Sequence, residues 1–395
     1  MVAYGFLSTF PPTRCAVATH SLALAQHLHD PGSGERCGIV HVVERPRPVP
    51  RQDSTVFLVH GRPASAIRSI EALNRYDVAI VQHDFAIYGG PDGEEVLGVI
   101  EALDVPVIAV LHAVPATGIG HRHQLLQRVI DAAAAVVVLC AADAATLREH
   151  YRVDAVSISM IPRGATASTP THPSRRVTEP AVPTILTWGL IGPGKGIEHA
   201  IAALGRLRDL DPAPHYLICG QPDPRVEAGQ ADAYRDLLLR TAQDHGVADL
   251  VTFEPLYRAP GPLASLIRRA DVVLVPYEER ARTSSAVLTE AVAARRPVIA
   301  TDFPQARELL GNGVGLVVAQ RDPDALALAL RRVLTEPGLA KVLQTRCGQI
   351  AEQLAWSGVA TAFGGLAQDV LAGDRPHRTV GVRTPAAPGP VEWTP

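Results

Sequence analysis

Short, nearly uninterrupted runs of β-branched and aliphatic residues recur along this chain, and amphipathic helical stretches separate most of them. Strands that are apolar on both sides are typical of sheets covered on both faces, whereas a strand with one solvated face alternates polar and apolar residues. The order strand, helix, strand favours parallel pairing, because parallel neighbours need a crossover connection. The sequence therefore predicts an α/β protein with doubly wound parallel sheets.

The predicted strands fall into two groups, one in each half of the chain. Seven lie at 3–7, 38–42, 55–59, 78–81, 107–111, 136–139 and 156–161, and six at 184–188, 215–219, 251–253, 272–275, 297–300 and 315–318. Since 395 residues exceed one ordinary core, we expect two Rossmann-like domains with a central cleft between them. Predicted boundaries are a first domain over 1–165, a linker over 166–183, a second domain over 184–352, a C-terminal helix over 353–372 and a loose tail over 373–395.

Charge and cysteine usage exclude several classes of protein. The formal net charge of −3 gives no basic excess for gripping nucleic acid. Apolar runs stay shorter than the ~18 residues that a membrane-spanning helix needs, and residues 1–10 lack the pattern of a signal peptide. The five cysteines are scattered without a C-x-x-C pair, which favours reduced thiols over disulfides or zinc. We expect a cytoplasmic protein without a transmembrane segment.

A glycine-rich turn follows the predicted strand at 184–188. Gly189, Gly194 and Lys195 match the start of a phosphate-binding P-loop, but Gly196 stands where a serine or threonine would hold magnesium. A nucleoside triphosphatase is therefore disfavoured. A glycine turn, a helix start and one lysine still suit a diphosphate, although the same glycines could serve only to shape a tight turn.

A second anion-binding turn is predicted between residues 271 and 300. The strand ends before Pro276 and Tyr277, and a helix begins near Ser284, the expected N-cap, or at the next residue. Helix N-termini offer unpaired N–H groups. We expect three free amides here, those of Ser285, Ala286 and Val287. Glu290, about one turn further on, could accept hydrogen bonds from vicinal hydroxyls or could be a solvated helical glutamate.

Histidines follow two strands of the first half. His83 with Asp84, and His112, lie at predicted carboxyl ends of strands, where ligand-binding side chains of parallel sheets gather. Neither group has the spacing of a metal site, and no D-x-D motif is present. No metal is expected.

Taken together, these residues resemble the family 4 retaining glycosyltransferases of the GT-B fold, which carry a Glu-x7-Glu motif before an Ala-Gly-x-Pro-Val-Ile run. Glu290 matches the second glutamate, and residues 294–299 match the run. Weaker matches extend over nearly the whole chain, at 4–20, 82–93, 111–113 and 161–164, and include Trp356 in a final helix that, in the family, returns to the first domain.

The resemblance implies transfer of a hexose from a UDP- or GDP-sugar to a sugar, glycan or other hydroxyl acceptor, without a metal or a cofactor beyond the nucleotide-sugar co-substrate. It implies that Lys195 and His112 act in catalysis. The acceptor-side loop residues would be Cys15, Ala16, His83 and Asp84. The donor-binding residues would be Gly194, Lys195, Leu256, Tyr257, Pro276, Tyr277, Arg282, Ser285, Ala286, Val287 and Glu290. A homodimer is left open.

The chain departs from the family pattern in several places. Arg282 replaces the first motif glutamate, Leu190 an arginine, and Cys15 and Ala16 a glycine pair. Arginine offers only donors and prefers oxyanions, so we expect Arg282 to contact an anionic group of the donor. A disaccharide phosphorylase that uses free phosphate, and a catalytically silent nucleotide-sugar-binding homologue, are the alternative functions. A dinucleotide enzyme is disfavoured because no G-x-G-x-x-G follows the first strand.

Overall fold

A computed structural model of the chain describes residues 2–29, 36–45, 56–116, 118–153, 158–166, 182–224, 226–278 and 285–373. The chain divides into two compact units. Of the described residues, the first unit contains those up to Gly164 and those from Trp356 to residue 373, and the second contains those from Ala165 to Ala355. Most of the predicted linker, Ser284, Arg282 and nearly all of the predicted tail lie outside the described residues.

The first unit is a parallel sheet flanked by helices. Its strands are β1 (Ala3–Ser8), β2 (Arg36–Val43), β3 (Val56–Val59), β4 (Val78–His83), β5 (Val107–Leu111), β6 (Ala135–Val138) and β7 (Ile158–Met160). Its helices before residue 165 are α1 (Ala16–Leu28), α2 (Pro63–Leu73), α3 (Glu95–Ile100), α4 (His121–Ala132) and α5 (Ala141–His150). The strand order is β3-β2-β1-β4-β5-β6-β7, and all pairs are parallel.

The second unit repeats this plan with six strands. They are β8 (Thr184–Trp188), β9 (His215–Cys219), β10 (Val251–Glu254), β11 (Val272–Val275), β12 (Val298–Thr301) and β13 (Leu316–Val318). The helices are α6 (Ile197–Gly205), α7 (Ala228–Asp244), α8 (Pro260–Arg269), α9 (Ala286–Ala293), α10 (Pro304–Leu310), α11 (Pro323–Thr335) and α12 (Leu339–Ala351). The order β10-β9-β8-β11-β12-β13 is again wholly parallel.

Both faces of each sheet are buried, as the apolar strands predict. Along β4, Ala79 and Val81 pack in one apolar cluster while Ile80 packs in another. Along β11, Val273 and Leu274 divide between two clusters in the same way. Successive side chains of a strand point to opposite faces, so these pairs of clusters lie on the two sides of each sheet.

All thirteen predicted strands are present within a few residues of their predicted bounds. The C-terminal helix predicted over 353–372 begins three residues later, at Trp356, because residues 352–354 form a 3-10 turn after α12. The last helix, α13 (Trp356–Leu371), packs Trp356, Val359 and Phe363 into the apolar cluster of the first unit. None of the helices in the described segments has the length and hydropathy that a bilayer crossing requires.

In each unit the strand order reverses direction at one point, between β1 and β4 in the first and between β8 and β11 in the second. Loops that leave neighbouring strands at such a point run to opposite faces of the sheet. A crevice therefore opens at the carboxyl ends of the strands, where ligands of parallel α/β proteins bind. We therefore expect ligand-binding residues in the segments that follow β1, β4, β8 and β11.

Candidate functional site

The glycine turn after β8 is pressed against the segment that follows β11. Gly196, the N-cap of α6, has a φ of +62°, and a Cβ on it would lie 1.9 Å from the Pro276 carbonyl oxygen. The Glu278 amide donates a hydrogen bond to the Gly194 carbonyl oxygen over 3.1 Å. Only glycine at 196 permits this contact, because any side chain would meet backbone and the left-handed conformation is costly.

Lys195 lies in this turn with its ammonium group over an aromatic ring. The Nζ atom is 4.5 Å from the centroid of Tyr277, a side chain that is buried after β11. The Tyr277 ring packs in turn against Phe303, with centroids 5.6 Å apart. A cation over a ring face is attracted by its electron density. The positive charge of Lys195 is thus held in the crevice at the carboxyl ends of β8 and β11, beside the segments that follow these two strands.

Helix α9 begins beside the same turn, and its first residues differ from the prediction. Ser285, not Ser284, is the N-cap, and its Oγ accepts from the Leu288 amide at 3.3 Å. The Ser285 amide donates to Oε1 of buried Gln305, so the prediction of three free amides is wrong at this position. Helix geometry leaves the amides of Ala286 and Val287 without an intrahelical acceptor.

Glu290 is held near this helix start by Trp188, the last residue of β8. The indole Nε1 donates to the Glu290 Oε2 over 3.3 Å. A Cβ on Gly189, the residue after Trp188, would lie 3.6 Å from a methyl group of Val287. The glycine turn, the start of α9 and the Glu290 carboxylate therefore occupy one neighbourhood in the second unit.

An apolar ledge adjoins the carboxyl end of β10. Leu256 and Tyr257 are 61% and 42% exposed, although both are large apolar side chains. A cavity of about 70 Å³ opens between the ends of β9 and β10 and helix α7, lined among others by Gly220, Phe253 and Pro255. Exposed apolar side chains beside a cavity suit a flat, partly apolar ligand group.

A cluster of Glu198, His199 and Glu278 could in principle hold a metal ion, since one ligand atom of each lies within 4.8 Å of the others. These carboxylates already have partners. Arg321 donates to Glu278 over 2.8 Å, and the Tyr234 hydroxyl donates to Glu198 over 2.6 Å. A cation in this cluster would have to compete with an arginine for Glu278.

In the first unit, His112 follows β5 and is held by a glutamine that sequence reasoning missed. The His112 Nε2 lies 2.6 Å from Oε1 of Gln82, which is fully buried near the end of β4. Burial, together with the neighbouring charges of Arg163 and His83, lowers the pKa of His112 to about 3. The ring is therefore neutral at physiological pH.

The remaining acceptor-side predictions lie at the ends of β1 and β4. His83 is buried, edge-on to Phe85 at 5.0 Å, and burial lowers its pKa to about 4. The Asp84 carboxylate accepts from the Ala86 amide at 2.9 Å. Cys15 caps α1, where its Sγ accepts from the Ala18 amide over 3.3 Å, and Ala16 begins that helix.

Three further side chains were not predicted as site residues: His20 and Arg163 act on His112 directly, and Trp356 packs against His20. The buried His20 ring meets His112 edge-on at 5.1 Å and Trp356 at 5.2 Å. Arg163, which follows β7, donates from Nη2 to the Ala16 carbonyl oxygen over 2.7 Å. The family resemblance covers the segments that carry these residues, but their separation along the chain, from residue 20 to residue 356, leaves no local pattern that would show that they meet.

Two family descriptions match this chain. "Glycosyl transferases group 1" matches residues 172–353, and "Glycosyltransferase Family 4" matches residues 17–168. The chain belongs to the family 4 glycosyltransferases. A glycogen synthase of Mycobacterium tuberculosis is 28% identical over 296 residues, which make up 71% of this chain and 67% of that protein.

Solved structures agree with this glycosyltransferase fold. The sucrose-phosphate synthase of Thermosynechococcus elongatus superposes with a TM-score of 0.74 at 18% identity, covering 95% of this chain and all of that one. The HepE protein of Anabaena, solved in complex with UDP and glucose, has a TM-score of 0.70 at 14% identity, covering 93% and 100%. The two parallel-sheet units are therefore the two Rossmann-like domains of the GT-B fold.

Proposed function

We propose that this glycosyltransferase moves a hexose from a nucleotide diphosphate sugar to a hydroxyl of a carbohydrate or other acceptor, retaining the donor configuration and using no metal. One observation carries the proposal. Lys195, the start of α9 and Glu290 converge at the β8 and β11 crevice of the second unit. A lysine ammonium group, helix amides without an intrahelical acceptor and a carboxylate match the diphosphate and the ribose of such a donor.

Each group has a distinct task in this proposal. Lys195 and the amides of Ala286 and Val287 neutralise the departing diphosphate, which is where negative charge develops. Glu290 accepts hydrogen bonds from the ribose hydroxyls. The base rests against the apolar ledge of Leu256 and Tyr257, both largely exposed. UDP is the first nucleotide to test, because HepE was solved with it.

The first unit supplies the acceptor side. His112 lies against the transferred sugar, and its backbone carbonyl group stabilises the positive charge that develops on that sugar. The acceptor hydroxyl attacks the sugar on the face that the diphosphate leaves. A donor phosphate oxygen takes the hydroxyl proton, so no protein nucleophile is needed. The protein contributes alignment and charge stabilisation. A glycan or sugar acceptor agrees with the similarity of this chain to a glycogen synthase.

The proposal is tested with Lys195→Met, which keeps the length of the side chain and removes its charge. We expect affinity for UDP, measured by calorimetry, to fall on the order of tenfold or more, because charge-assisted hydrogen bonds to phosphate are worth about 1.5–3 kcal/mol. Lys341, the only other lysine of the chain, is exposed on α12 and provides the matched control Lys341→Met.

Two results would contradict the proposal. If no UDP- or GDP-sugar binds, or if Lys195→Met binds UDP as well as Lys341→Met, the crevice is not a diphosphate site. Sugar release that depends on free phosphate rather than on nucleotide would instead identify a phosphorylase. Donor binding without transfer to any acceptor would identify a catalytically silent homologue.

A further inference from the structure

The carboxamide of Gln82 is placed to control the chemistry of the His112 ring. Gln82 is fully buried, and its neighbours fix it within the sheet: it pairs with Val110 of β5, and its backbone carbonyl oxygen accepts from the Tyr88 hydroxyl over 2.7 Å. Tyr88 also donates to the Leu7 carbonyl oxygen of β1 over 3.2 Å. The glutamine backbone is thus held from three neighbouring segments.

The hydrogen bond between Gln82 and His112 determines which nitrogen of the imidazole ring carries the proton. The carboxamide is oriented so that Oε1, which only accepts hydrogen bonds, faces the ring at 2.6 Å, and in this orientation the His112 Nε2 carries the proton. A neutral imidazole has one proton, and the other nitrogen, Nδ1, then keeps its lone pair. His112 therefore has an acceptor at Nδ1 and no donor there.

The surroundings keep the ring neutral and in place. The titratable groups that face it are His20 from α1, His83 from β4 and Arg163 after β7. The charge of Arg163, and that of His83 when it is protonated, opposes protonation of the His112 ring. The His112 amide donates to the His83 carbonyl oxygen over 2.9 Å, which fixes the backbone. His20 packs edge-on against the imidazole, with an interplanar angle of 88°. Ring rotation is thus opposed by packing as well as by the glutamine.

We propose that Gln82 is a positioning residue that holds His112 in the Nε2–H tautomer, so that Nδ1 accepts a hydrogen bond from a substrate hydroxyl. This inference rests on the proposed function, in which His112 lies against the transferred sugar. A ring with the opposite tautomer would present a proton to that hydroxyl and would require it to reorient. Gln82 thereby selects the direction of the hydrogen bond without touching the substrate.

The tautomer is measured directly by ¹⁵N NMR of histidine side chains, with the His112 signal identified by its loss in His112→Asn. We expect a protonated Nε2 and an unprotonated Nδ1 in the wild-type protein. Gln82→Met fills the same space but cannot accept, so both tautomers should appear. With an acceptor oxygen restored, Gln82→Glu should show the Nε2–H form again, and its negative charge should raise the pKa of His112.

Kinetics test the consequence for transfer. In Gln82→Met we expect kcat to fall on the order of tenfold, the value of one ordinary hydrogen bond, while affinity for UDP stays unchanged because the nucleotide contacts lie in the second unit. Gln82→Glu should recover part of kcat and move the acid limb of the pH profile to higher pH. Gln127→Met, at a buried glutamine of α4, is the matched control and should leave the His112 tautomer unchanged.

An Nδ1–H tautomer in the wild type overturns the proposal. So does a Gln82→Met protein that folds, transfers sugar at the wild-type rate and keeps a single His112 tautomer. If the wild type transfers no sugar at all, the proposed function fails instead, and the NMR comparison of the folded variants still decides the role of Gln82.

Discussion

Two aromatic side chains help to position the charged residues of the donor-side crevice. Tyr277 lies under the Lys195 ammonium group, and the Trp188 indole donates to Glu290. Both aromatic residues are buried; Trp188 ends β8 and Tyr277 lies two residues after β11, so they place the charges close to the edge of the sheet. Ordered packing around a charged group lowers the entropy lost when a ligand binds.

At the scale of single residues, Glu290→Gln tests whether the Glu290 carboxylate binds the ribose of the donor. The variant keeps the size of the side chain and one acceptor oxygen but removes the charge, so we expect KM for the nucleotide-sugar to rise roughly tenfold. Steady-state kinetics with varied donor measure it. Glu352→Gln, an exposed change in the same unit, should leave KM at the wild-type value. Equal KM values in the two variants would exclude Glu290 from donor binding.

At the scale of elements, the glycine turn connects β8 to α6 and packs against the segment after β11. Gly194 and Gly196 both have positive φ angles, +82° and +62°. The turn contacts backbone on its other side through the Glu278 amide and the Pro276 carbonyl oxygen. Strand β8 can therefore pass into α6 at this angle only while position 196 lacks a side chain.

Gly196→Ala tests whether this turn requires a glycine at position 196. The new methyl group would meet the Pro276 carbonyl oxygen, and the residue would remain in the left-handed region. We expect the free energy of unfolding to fall by at least ~1–2 kcal/mol, together with weaker UDP binding, because the loops must separate. Urea unfolding measures the first effect.

Gly229→Ala, in exposed α7, is the control for this substitution, because its Cβ would meet nothing within 4 Å. Alanine is favoured over glycine inside a helix, so this variant should be as stable as the wild type or more stable. Similar losses of stability in both variants would contradict the steric explanation.

At the scale of the whole molecule, three buried histidines make stability depend on pH. Burial lowers the pKa of His83 to about 4 and that of His112 to about 3, and lowers the pKa of His20 well below its ordinary value. In the unfolded chain these rings take up protons below their ordinary pKa of about 6.5. The unfolded state then binds more protons than the native state, so stability falls as pH falls from about 6.5 towards 4.

His83→Gln should reduce this acid sensitivity. Each buried neutral histidine contributes at most about 1.4 kcal/mol per pH unit between its two pKa values, so losing one should flatten the fall in unfolding free energy from pH 6.5 to pH 5. Urea unfolding at these two pH values gives the comparison. His29→Gln replaces an exposed side chain, and in this variant the free energy of unfolding should fall between the two pH values as much as it does in the wild type. An unchanged pH dependence in His83→Gln would refute the argument.

The sequence by itself determined the strands, the parallel α/β class and the family. All thirteen strands follow from local apolar runs, since burial on both faces of a sheet leaves a pattern within four to eight neighbouring residues. Lys195, Glu290 and His112 were predicted as site residues because short motifs, strand ends or the family resemblance mark them. The position of the helix cap was missed by one residue, because by residue type Ser284 and Ser285 are equally good caps. The hydrogen bond from the Ser285 amide to distant Gln305 is evident only from the structure.

Only the tertiary structure decided which residues meet. Gln82 with His112, Trp188 with Glu290, and Gly194 with Glu278 join positions thirty to more than one hundred residues apart. The strand order β10-β9-β8-β11-β12-β13 brings the ends of β8 and β11 together, and the order of the first sheet does the same for β1 and β4. Side-chain pairing across such distances depends on the path of the whole chain, whereas hydrophobic periodicity reports only on the nearest turn or strand.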